Sequence, residues 1–105
     1  MISRTERINR IAKVFIDKAC KRTIFNKINV PVNHIINELD DLAIYQLRDY
    51  KDVYATLKDS ILDCFVATYS LAHYDDFSSI IANDIDWNVV KDLVEEMNEQ
   101  DCKGN

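Results

Sequence analysis

Apolar residues recur every three or four positions along most of this chain, with polar residues filling the gaps, and that spacing predicts helices rather than strands. Ile8, Ile11, Ala12, Phe15 and Ala19 share one helical stripe, and Ser3 and Glu6 ahead of them are spaced as a capping box, so a first helix is expected from about Ser3 to Phe25. A break follows at Asn26 to Val30. Pro31 suits the first turn of a second helix, whose apolar face is Val32, Ile35, Ile36, Leu39, Leu42, Ala43 and Leu47 and which should end near Arg48 to Lys51. A third helix is expected from about Asp52 to His73. It is apolar on two sides, with Leu57, Ile61, Cys64, Phe65, Thr68 and Ala72 on one and Leu62, Val66 and Tyr69 on the other, which marks it as central or as an interface. Tyr74-Asp75-Asp76 reads as a polar connection, Phe77 to Ala82 as a short turn, and Trp87 to Glu99 as a last helix. Asp84 and Asp86 at its start complement the positive end of the helix, and the tail after Asp101 is expected to fray.

Composition supports this all-α reading. The chain has 105 residues with a single Gly (Gly104) and a single Pro (Pro31), too few for the tight turns that sheets require. Hydrophobic residues at 48% are enough to drive folding, and the length suits one domain, residues 1–105. We therefore expect a four-helix-type bundle. A third helix with two apolar sides has more apolar surface than a small monomer easily hides, so a homo-oligomer, most simply a dimer, is expected. Cys20, Cys64 and Cys102 are widely separated, with only His34 and His73 for company, so no zinc-type spacing exists. An odd number of cysteines and no apolar leader or membrane-length run point to a reducing, cytoplasmic setting without membrane insertion.

Charge is unevenly distributed. Residues 1–30 hold eight basic groups against Glu6 and Asp17, a net of +6, which leaves −11 for the remainder of a chain whose total is −5. A basic first helix raises the possibility of nucleic-acid binding, but its apolar stripe fits better with a helix packed across acidic neighbours.

The acids themselves are the candidate chemistry. Asp63 is the only formal charge between Ser60 and His73, in the segment expected to be most buried, and a buried carboxylate requires a partner. Asp59 lies four residues earlier on the same stripe, and Glu38 and Asp41 sit three apart on the preceding helix. Convergence of Glu38, Asp41, Asp59 and Asp63 would make an all-oxygen site for Mg²⁺ or Mn²⁺. A plainer reading stays open: Asp41 points away from its helix's apolar face, Asp59 is solvated, and Asp63 pairs with a base from the first helix.

The run His34-Ile35-Ile36-Asn37-Glu38-Leu39-Asp40-Asp41-Leu42, followed by Lys58-Asp59-Ser60-Ile61-Leu62-Asp63-Cys64-Phe65-Val66, resembles the MazG-like all-α nucleoside triphosphate pyrophosphohydrolases. That family carries an E-x-x-E pair on one helix and an E-x-x-D pair on the next. It splits nucleotides into a monophosphate and pyrophosphate with Mg²⁺. The resemblance covers about Ile35 to Tyr74. It implies that Glu38 and Asp41 stand for the first pair and Asp63 for the final Asp, while Ser60 occupies the fourth acid's place and Asp59, one residue earlier, substitutes for it. It also implies catalytic and metal-holding roles for all four acids, a nucleotide substrate, and phosphate contacts from Asn98 and Lys103. Lys58 is a further candidate to steady the outgoing pyrophosphate.

Among the remaining residues, His34 is placed to pair with Glu38 at i,i+4, a metal-ligand role being the less favoured alternative, and His73 to meet the last carbonyls of its helix. Trp87, Tyr45, Tyr50 and Tyr54 offer stacking surfaces for a base or anchors for packing. No glycine-rich phosphate loop or nucleophile triad exists. The rival to the hydrolase is a small acidic helical interaction or inhibitor protein of phage or immunity type, without catalysis, drawn to basic partners by its charge.

Overall fold

In the computed structural model, which describes residues 2–69 and 73–103, Ser3 opens the first helix, its hydroxyl accepting the Glu6 amide at 3.1 Å. Helix α1 (Arg4–Val14) runs into a π turn (Phe15–Ala19) that ends where Cys20 turns extended. The single long helix expected from Ser3 to Phe25 is thus interrupted, and the cause is tertiary. Cys20 and Ile85 form an isolated antiparallel bridge, the Lys21 amide donates to Asp84 O at 2.9 Å, and the Asp86 amide donates to Ala19 O at 2.7 Å. The helical segment ends at Ala19, which leaves its carbonyl without an intrahelical donor and free for that long-range bond. The chain resumes as α2 (Arg22–Lys27).

The second expected helix is also divided. Pro31 caps α3 (Val32–Asp40), Asp41 ends it, and a short α4 (Ile44–Leu47) follows. Arg4 holds the intervening bend, donating to the Asp40 carboxylate and to the carbonyls of Asp40 and Leu42. Gln46 reaches back to accept the Ala43 amide at 2.9 Å. The side chain of Asp49 accepts the Lys51 amide at 2.9 Å and so starts α5 (Tyr50–Thr68), the longest helix. It ends at an extended Tyr69, short of the expected His73, and Ala72 lies outside the described residues.

Tyr74 to Asn83, expected to be a polar connection and a turn, forms the ten-residue helix α6. Phe77, Ile80 and Ile81 are spaced at i, i+3 and i+4, and all three are buried, which is sufficient reason for the helix. Helix α7 (Trp87–Lys103) runs past the expected end at Glu99; Gly104 and Asn105 lie outside the described residues.

The described residues are helical, apart from loops and the lone bridge, and α1, α3, α5 and α7 enclose the core. Ile11, Ala12 and Phe15 meet Ile35, Leu39, Leu57, Ile61, Val90 and Met97, all fully removed from solvent. Tertiary burial rather than helix propensity carries such short helices. Leu62, on the second apolar side of α5, is half-buried, and Val66 and Tyr69 there stay exposed. No helix among the described residues is long and apolar enough to cross a membrane.

Arg7 and Asp101 join α1 to α7. Arg7 is fully buried, its Nη2 donating to Asp101 Oδ2, while the Ile2 amide donates to Asp101 Oδ1 at 2.7 Å and Arg48 approaches at 3.5 Å. The Arg7 hydrogen bond above all, then the Ile2 amide, holds the Asp101 carboxyl below the usual carboxylate range, against the opposing effect of burial. Arg10 reaches Gln100 and Lys21 Nζ reaches the Asn83 carbonyl, so much of the basic first segment contacts other parts of the fold.

Candidate metal centre

Helix α3 turns Ile35 and Leu39 into the core, which leaves His34 and Glu38, one turn apart, on the edge facing α5. There they meet Asp63. His34 Nε2 lies 3.7 Å from Asp63 Oδ2 and 4.0 Å from Glu38 Oε1, and one donor atom from each residue lies within 4.8 Å of the other two. Those distances are beyond hydrogen bonding. The Nε2 atom is sealed from solvent and has no hydrogen-bond partner. A cleft of about 380 Å³ opens beside it, lined by Asn29, Pro31, His34, Asp63, Cys64, Ala67 and Thr68.

Asp63 is not the buried carboxylate its apolar surroundings in sequence suggest: its side chain is 57% exposed. It lies on the edge of α5, between the buried Ser60 and Cys64 in sequence but turned toward α3. Ser60, fully buried, donates to Thr56 O at 2.9 Å and is a satisfied core hydroxyl. Of the four acids expected to converge, Glu38 and Asp63 do so, joined by His34. Asp41 and Asp59 are exposed and stand outside this group. Asp41 terminates α3, where its amide donates to Glu38 O at 3.3 Å and the chain bends away under the hold of Arg4.

The other expected substrate contacts are elsewhere. Asn98 donates its amide to Arg48 O at 2.9 Å, Lys58 lines a separate cavity between α5, α6 and α7, and the Lys103 side chain lies outside the described residues. His73 caps α6 and lies 3.5 Å from Asp76 rather than meeting the end of α5.

One imidazole nitrogen and two carboxylates make a chemically coherent donor set. Bonds of 2.0–2.2 Å to a divalent ion set donor separations of roughly 3.0–3.5 Å, so the two His34 distances of 3.7 and 4.0 Å are too long by roughly half an ångström, and the carboxylates lie within 4.8 Å of each other. The mixed nitrogen and oxygen donors suit manganese, zinc or another borderline ion better than magnesium, which favours six hard oxygens. Cys64, at the cleft wall, adds no nucleophile: burial first, then the neighbouring Asp63 and Glu38 charges, push its thiol up. Cys20 is pushed to about 12 by burial alone.

No protein-family model, curated protein or solved structure matches this chain.

From sequence, His34 is expected to pair with Glu38, with a metal-ligand role as the less favoured alternative. The i,i+4 spacing was the available signal, and its meaning changes once Asp63 is seen to close the third corner.

Proposed function

We propose that the cleft between α3 and α5 binds a divalent cation, and that the protein is a nucleotide pyrophosphohydrolase of MazG-like type, releasing pyrophosphate from a nucleoside triphosphate or related nucleotide. The observation carrying this reading is His34 Nε2, enclosed and without a hydrogen bond, facing the Glu38 and Asp63 carboxylates. A polar atom enclosed without a partner is costly in a folded protein, and a cation among the three groups relieves that cost. A divalent ion in such a site supplies Lewis acidity toward a phosphate oxygen and makes a water more acidic. His34, Glu38 and Asp63 hold it. Asn29 and Thr68, on the cleft wall, offer an amide and a hydroxyl to phosphate oxygens. Asp59, exposed one turn from Asp63, is the carboxylate left to accept a proton. Manganese is the first ion to try, with magnesium beside it.

The test is release of pyrophosphate from a panel of nucleotides with each ion. Activity that Asp63→Asn removes, with the helical signal unchanged, supports the reading. The absence of both turnover and ion-dependent stabilisation defeats it.

We further infer that two copies pair through the second side of α5, where Val66 and Tyr69 remain exposed; a monomer by analytical ultracentrifugation at micromolar concentration contradicts this. A second functional reading, the acidic interaction protein, draws on Tyr45, 70% exposed on α4, with the exposed acids Asp40, Asp41 and Asp49 close in sequence. Under that reading Asp63→Asn is silent and Tyr45→Ala is not.

A further inference from the structure

Lys58 and Asp63 are five residues apart on α5, which sets their side chains roughly 140° apart around its axis. The cavity beside Lys58 is therefore separate from the cation cleft. It has a volume of about 300 Å³, and its walls include Tyr54, Tyr74, Phe77 and Trp87, with Lys58 and Ser78 as the polar groups. Trp87 is fixed in place. Its Nε1 donates to Ile81 O at 2.9 Å, Tyr54 meets it edge-on with ring centroids 4.6 Å apart, and Phe15 packs at 5.8 Å. Rings held this way form a ready surface that loses little freedom when a flat molecule lies against it.

The charge makes the cavity selective. Lys58 is half-buried, and among the described residues no carboxylate pairs with it, although the chain carries a net −5. An unpaired ammonium beside aromatic walls favours a ligand that is flat and negatively charged, and a cavity of this volume is at the small end of ligand sites.

We propose that this cavity binds a small planar aromatic anion, its ring against Tyr54 and Trp87 and its charge at Lys58. A nucleoside monophosphate and an aryl carboxylate share that chemistry. The site goes beyond the hydrolase reading, because its occupant touches none of the cation-holding residues.

Trp87 is the only tryptophan, so its indole N–H gives a single reporter signal in a proton–nitrogen correlation spectrum. The full-length protein is titrated with AMP, with 4-hydroxybenzoate, with uncharged adenosine and with inorganic phosphate. We expect saturable movement of the indole signal with at least one of the two aromatic anions, and none with phosphate. Which anion binds tells the two sources apart. Lys58→Met should weaken that binding by at least about fivefold, bringing AMP to the level of adenosine if AMP is the ligand. Ala82→Leu, which fills the cavity without altering charge, should abolish it. Asp63→Asn should leave it unchanged, which separates this site from the cation cleft. The proposal is overturned if neither anion moves the signal, or if Lys58→Met and Ala82→Leu both bind as the parent does.

Discussion

Two charged clusters in this molecule have opposite fates. Arg7 and Asp101 are sealed between α1 and α7, with side chains 0% and 8% exposed, and their charges meet. His34, Glu38 and Asp63 sit at a cleft between α3 and α5, partly open to water, with His34 Nε2 enclosed and lacking a hydrogen bond, as Arg7 Nε and Nη1 do in the first cluster, but with no contact between opposite charges closer than 3.7 Å. Elementary electrostatics separates the two. A buried ion pair stabilises only relative to its broken form, because the remaining charge cannot recover its hydration. In the open set the two carboxylates keep most of their hydration, and the cost falls on the single enclosed nitrogen of His34. One cluster closes the structure, and the other is the one we propose to hold the cation.

The contrast is sharpest under substitution. Arg7→Ala should lose about 3–5 kcal/mol of stability in urea denaturation, because it strips the Asp101 carboxylate of its principal partner; a loss below about 1 kcal/mol would mean that the pair is not part of the closure. Acid should act at the same place. Asp101 has a lowered folded pKa, so its contribution is present above the ordinary carboxylate value of about 3.9 and is lost as pH falls through the lower folded value. Asp101→Asn should therefore be less stable at neutral pH and show a flatter decline in stability below about pH 4.

At the open cluster the effects should be smaller and depend on the ion. Manganese or zinc at a hundred times its dissociation constant should stabilise the parent by about 2.7 kcal/mol, read as a raised Tm, and His34→Ala should erase that gain. Without added ion, His34→Ala should change stability by no more than about 0.5 kcal/mol. A large loss in ion-free protein would move His34 into the structural class with Arg7.

The two clusters also differ in how legible they are. Both members of the buried pair continue an apolar stripe: Arg7 precedes Ile8 and Ile11, and Asp101 follows Val90, Val94 and Met97 at helical spacing. A charge at the end of a core stripe is the available sign of a buried partner, and here it was masked by the basic character of the whole first segment. Helix was legible nearly everywhere, because the 3.6-residue period persists along the chain. The interruptions at Cys20 and Asp41 were not, since a bridge to Ile85 and the reach of Arg4 across to Leu42 impose them, and neither Gly nor Pro marks the places. Helix α6 was readable in the spacing of Phe77, Ile80 and Ile81, but the acids ahead of them suggested a loop. In the candidate site, the pairing of Glu38 with Asp63 was visible as two acidic helices joined by a short connection. The exclusion of Asp41 and Asp59 depends on where α3 ends and how it lies against α5, which no spacing rule supplies.

The most direct test is calorimetric titration of manganese, then zinc, into the parent protein and four variants. His34→Ala and Asp63→Asn should abolish a one-site isotherm that Asp41→Asn and Asp59→Asn retain. No binding to the parent, or loss confined to the Asp41 and Asp59 variants, would contradict the assignment of the cation to His34, Glu38 and Asp63.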